Sequence, residues 1–68
     1  MNIFLVLVVL SVPGQQGHEL TAELHREYIT ASSAKVCQAH AEKRAQEQRA
    51  KVVKGRVTGL CVHQGESK

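Results

Sequence analysis

The chain opens on an unbroken apolar run, Ile3 to Val12 (IFLVLVVLSV), with one serine and no charge. As a helix it spans only about 15 Å, and a bilayer core needs about twenty residues. The run therefore suits the apolar region of a secretory signal peptide. Val12 and Gly14 are small enough for the positions before a cut, so the expected cleavage lies between Gly14 and Gln15, with Gly17 as the alternative. The competing structural reading is a buried N-terminal strand or helix. Neither Lys nor Arg precedes the run.

From His18 to Lys54 there is neither Gly nor Pro, and Ala, Glu, Gln, Lys and Arg dominate. These are good helix formers. Small or apolar residues recur at a 4-3 spacing through Leu20, Leu24, Ala31, Ala34, Ala41, Ala45 and Val52, with Glu27, Gln38 and Gln48 at the remaining positions. That periodicity predicts helix. The seam is mostly Ala and polar, too thin for a strong coiled coil. Tyr28-Ile29-Thr30-Ala31-Ser32-Ser33 is a soft spot, because β-branched and hydroxyl side chains disfavour helix interiors. Ser32 or Ser33 is placed to cap a second helix. In the first segment Glu19, Glu23 and Glu27 repel at helical spacing, whereas Glu47 and Lys51 attract.

The expected architecture is mainly α. It is a small secreted, disulfide-stabilised helical peptide, with one bent helix or two short helices plus an irregular C-terminal tail. Residues 1–14 are its signal peptide and 15–68 its single mature chain, helical over about 19–50, with the tail at 51–68. Within that tail Lys54-Gly55 is a candidate hairpin turn, and Gln64 to Lys68 is expected to be disordered.

Composition narrows the picture. The chain has 68 residues, no Trp, one Phe and one Tyr, which excludes a large aromatic core and a ligand-sized catalytic cleft. There is no Asp and no glycine-rich phosphate loop, so an enzyme is not expected. Two cysteines in an oxidising compartment predict one disulfide, Cys37–Cys61. If that bond lies within the chain, the helix carrying Cys37 must end before Lys54, between Gln48 and Lys51. Otherwise seven extended residues cannot return to Cys37. A monomer is expected, with a disulfide-linked dimer as the alternative. Cys37-x-x-His40 with Cys61-x-His63 offers zinc-ligand types, but the spacing fits no strong zinc pattern, and neither metal nor cofactor is expected.

The formal net charge is +3. It concentrates in Lys35–Arg56, where Lys43, Arg44, Arg49, Lys51, Lys54 and Arg56 form a candidate partner-binding surface. A basic surface of this kind docks on acidic partners. The leading expectation is a basic extracellular effector that acts by binding, as a toxin-like modulator of an ion channel or receptor. The alternatives are a peptide-hormone or neuropeptide precursor cut at the dibasic Lys43-Arg44, and a host-defence peptide. Nucleic acid is not an expected partner for a chain so poor in aromatics, and no stable membrane span is expected.

Overall fold

A computed structural model of the chain describes residues 1–14 and 17–66. It holds strand β1 (Asn2–Pro13), strand β2 (Glu19–Ala31), helix α1 (Ala34–Arg49) and strand β3 (Arg56–Glu66), in that order. The strands form one antiparallel sheet in the order β2-β1-β3. The expected mainly helical architecture is therefore corrected: the protein is mainly β, with three strands and one helix.

β1 is the middle strand. Its run of Val, Leu, Ile and Phe suits a strand paired along both edges. Phe4, Val6 and Val8 alternate onto the face that meets α1, and all three are buried. Ile3, Leu5, Leu7 and Val9 alternate onto the opposite face and are half-buried. The segment expected to be a signal peptide and the middle strand are thus the same residues, and a cut after Gly14 would remove all of β1. Gln15, on the other side of that bond, lies outside the described residues. Gly14 N–H donates to the His18 carbonyl where β1 turns into β2.

β2 corrects the expectation of helix from residue 19. A spacing of four, as in Leu20 and Leu24, is one helical turn but also an even step along a strand, so it satisfies both periods. A bulge at Leu24, between the Val8↔His25 and Val9↔Glu23 pairs, shifts the register there. Beyond it His25, Glu27, Ile29 and Ala31 point to the helix side, and Arg26, Tyr28 and Thr30 to the other. Tyr28-Ile29-Thr30, a soft spot for a helix, is favourable in a strand. The pairing partner that decides the outcome is β1.

α1 is the expected second helix. Ser33 caps it, its hydroxyl accepting from Val36 N–H at 3.4 Å. The helix ends at Arg49, within the window that an intrachain Cys37–Cys61 bond requires. That bond is present, with Cα atoms 6.2 Å apart. Cys37, Ala41 and Ala45 follow at four-residue spacing and are fully buried. Two of the seam alanines therefore pack on the sheet. Small side chains let the helix sit low, and a Cβ on Gly59 of β3 would stand 2.5 Å from the Ala41 carbonyl oxygen. Only glycine fits that contact without displacing the helix.

The expected irregular tail is also corrected. After Gly55, whose φ of +101° favours glycine, the chain becomes β3 and pairs with β1 from Arg56 to Glu66. Its β-branched residues Val57, Thr58 and Val62 are strand formers. Gln64 to Glu66 belong to this strand. Ser67 and Lys68 lie outside the described residues.

The core has two parts. One joins Phe4, Val6, Ala31, Cys37 and Ala41, and the other joins Val8, Ala45 and Val57. Both lie between α1 and one face of the sheet. The other face is covered by no element among the described residues.

Candidate functional site

Three surfaces carry the chemistry. The first is the basic end. The six cations expected to act together are divided by the fold. Arg44 donates to Glu27 at 3.1 Å and to both carboxylate oxygens of Glu47 at 2.9 Å. Arg49 donates to Glu42 at 2.6 Å and, through two nitrogens, to the Val57 carbonyl at 2.9 and 3.3 Å. These two guanidinium groups link α1 to β2 and to β3. Lys43, Lys51, Lys54 and Arg56 are exposed and make no ion pair among the described residues. Lys51 and Lys54 lie in the connection from α1 to β3 and Arg56 opens β3, and Val53 in that connection is 96% exposed.

The second is a cluster on the helix side of β2, which the sequence reading did not single out. Glu27 Oε1 lies 2.8 Å from His40 Nε2, 3.1 Å from Arg44 Nε and 3.1 Å from His25 Nε2. His40 and Arg44 sit one turn apart on α1, and His25 sits two residues before Glu27 on β2. The His25 Nε2 is buried and has Glu27 Oε1 as its close polar neighbour. Partial desolvation opposes ionisation of Glu27. The contacts from His40, His25 and Arg44 outweigh it and hold the carboxyl at about 2. The group ties β2 to α1. The strand spacing His25-x-Glu27 is the available signal, and the helical periodicity of the same segment masks it.

Neither cysteine is available as a thiolate, because they are bonded to each other. His63 packs edge-on against Phe4, ring centroids 5.3 Å apart, and its Nε2 is 3.2 Å from the Asn2 side-chain oxygen. His40 is held by Glu27. The four residues with zinc-ligand chemistry are thus dispersed over separate roles. No group of His, Cys and Glu among the described residues is arranged to hold a metal ion.

The third surface is the open face of the sheet. Leu5, Leu7 and Val9 form its central row. Tyr28 (61% exposed) flanks it on β2, and Leu60 (44%) and Val62 (45%) on β3. Towards the Pro13 end the face becomes a depression of about 590 Å³. There Glu19 and Thr21 on one rim face Arg56 and Thr58 on the other, across Val9, Ser11 and Pro13. Glu23 and Arg26 lie on the same face and pair at 2.8 Å. No helix among the described residues is long and apolar enough to cross a membrane.

The dibasic Lys43-Arg44 pair sits in the middle of α1, inside the loop closed by the disulfide. No known protein family, curated protein or solved structure matches the chain.

Proposed function

We propose that the protein is an extracellular binding protein. In this reading its basic end docks on an acidic partner, in the manner of a toxin-like modulator of an ion channel or receptor. The observation that carries it is the division of the cations. Arg44 and Arg49 are spent on internal contacts. Lys51, Lys54 and Arg56 flank the exposed Val53 in sequence, with no internal carboxylate partner among the described residues. Unpaired cations flanking an exposed apolar residue match an acidic recess with an apolar floor, where steering and burial act together. The disulfide supports an oxidising compartment. The binding form proposed is the uncut chain, because its middle strand is Asn2–Pro13. Action by binding rather than catalysis is part of the same proposal.

The test is the oxidised full chain applied to a panel of ion channels and receptors. The expected result is an effect on one target that Lys51→Gln, Lys54→Gln and Arg56→Gln together abolish. Glu19→Gln should leave it in place. An inert wild-type chain across the panel would contradict the proposal. Processing at Lys43-Arg44 has no observation in its favour, since a protease would have to open α1 to reach the bond. The host-defence reading gains none either, because the apolar surface is a sheet face and is spatially separate from the cations of α1.

A further inference from the structure

We propose that the open face of the sheet is a self-complementary interface, and that two copies of this chain pack face to face through it. Three observations lead there, and the basic end enters them only through Arg56, which lies on this face as well.

The first is the pattern of the face. Its rows run across the sheet by register: Tyr28–Leu5–Val62, Arg26–Leu7–Leu60, Glu23–Val9–Thr58 and Thr21–Ser11–Arg56. The centre is apolar and the charges lie on the flanking strands. This is the arrangement of an interface with an apolar core and a polar rim. The four ionised groups, Glu19, Glu23, Arg26 and Arg56, sum to zero.

The second is where those charges stand. The unpaired acid, Glu19, is on β2, and the unpaired base, Arg56, is on β3, at the same end of the sheet and on opposite rims of one depression. Consider a two-fold axis that lies between two such sheets and runs parallel to β1. It stacks β1 on β1 and places each β2 over the other copy's β3. Arg56 then lies over Thr21 of the second copy, between the rows of Glu19 and Glu23. Val62 lies over Tyr28, and Leu60 over the aliphatic stem of Arg26. Both copies gain the same contacts, as two-fold symmetry demands. A two-fold axis across the strands instead stacks β2 on β2 and β3 on β3, which leaves Arg56 without a carboxylate opposite. The charge pattern therefore selects the parallel axis, and that is the aligned class of sheet packing.

The third is size. About ten residues of strand by three strands gives a flat footprint of roughly 33 by 14 Å on each copy. The two footprints total about 900 Å², before counting the relief of the side chains, close to the roughly 1,000 Å² that a specific interface needs. An area at this low end fits a reversible dimer rather than an obligate one.

A lipid surface fits this face less well. Its charges are balanced, so an anionic bilayer gains nothing electrostatic from it, and Glu19 and Glu23 would have to lose water against lipid. The covalent and helical routes to a dimer are closed, since Cys37 and Cys61 are joined within the chain and Ala41 and Ala45 are buried on the sheet.

The experiment is sedimentation equilibrium of the oxidised full chain over a range of concentrations, with far-UV circular dichroism to confirm that each variant keeps its fold. Wild type is expected to shift from monomer to dimer with concentration. Leu60→Lys, on an exposed position of β3, should weaken the association by about 100-fold, as loss of a central interface anchor does. Arg56→Glu should weaken it by about tenfold through like charges facing each other. Combining Arg56→Glu with Glu19→Arg keeps the face neutral and the Glu23–Arg26 pair intact, and should restore most of the loss, a rescue that a merely structural effect would not give. A wild-type chain that stays monomeric at millimolar concentration overturns the proposal. So does a dimer indifferent to Leu60→Lys, or a monomer that binds phosphatidylglycerol vesicles through this face.

Discussion

The two faces of the sheet come from the same three strands and have opposite fates. On one, Phe4, Val6 and Val8 meet Cys37, Ala41, Ala45 and Val57 and lose nearly all contact with water. On the other, Ile3, Leu5, Leu7 and Val9 are as apolar by sequence but stay half-exposed. What separates them is the cover. A single short helix of small residues can lie close to one side of the sheet, fixed there by a disulfide and by the Glu27 cluster. No element among the described residues lies over the second side. Stability is thus concentrated on one face, which leaves the other free for contacts with another molecule.

The largest way to break this contrast is to remove the strand that owns both faces. A chain of residues 15–68 keeps the disulfide and α1 but leaves β2 and β3 with no partner. Its circular dichroism should lose the strand signal and retain a marginal helix. A 15–68 chain with the sheet content of the full protein would argue against β1 as the organiser.

Next is the staple of the covered face. Replacing Cys37 and Cys61 by Ala should cost about 3–4 kcal/mol in the chain-entropy picture of a loop this long, read from denaturant midpoints. In a domain this small that is a large share of the total. A loss below about 1 kcal/mol would show that packing alone holds α1 on the sheet.

The faces can then be compared residue by residue. Val6→Ala empties a fully buried site, whereas Leu5→Ala trims the neighbouring side chain on the open face. The first should cost about 2 kcal/mol and the second less than about 1 kcal/mol, measured in dilute protein where association is absent. Gly59→Ala should cost about 1–3 kcal/mol, because the new methyl meets the Ala41 carbonyl. Its neighbour Thr58→Ala, facing outward, should be near neutral.

The last contrast is in pH. The Glu27 carboxyl is held at about 2, below its ordinary 4.5. A carboxyl lowered by folding stabilises the native state fully above about pH 4.5, and that contribution is lost as pH falls towards 2. Acid titration of stability should therefore show a loss between about pH 4.5 and 2 that Glu27→Gln flattens. An identical acid profile in Glu27→Gln would remove the cluster from the account.

One of the four elements, the helix, and the disulfide are legible in the sequence, and for identifiable reasons. α1, its Ser33 cap, its end near Arg49 and the Cys37–Cys61 bond follow from local signals and chain geometry. β2 and β3 are set by a partner far away in sequence, and local patterns read them badly. Leu20 and Leu24 fit a helix as well as a strand, and Val57 to Val62 are too few to announce a strand alone. Once Ile3–Val12 is assigned to a signal peptide, the strand that would pair with both is out of consideration. The basic surface was legible as composition, but its division into structural Arg44 and Arg49 and free Lys51, Lys54 and Arg56 required the positions of Glu27, Glu42 and Glu47. The open face was invisible for the same reason as β1.

The most direct test of β1 as the middle strand is amide hydrogen exchange on the oxidised full chain. The slowest exchange outside α1 should fall at Phe4 to Leu10, paired on both sides, with β2 and β3 exchanging faster along their free edges. Rapid exchange throughout Asn2–Pro13, with protection confined to residues 34–49, would contradict it.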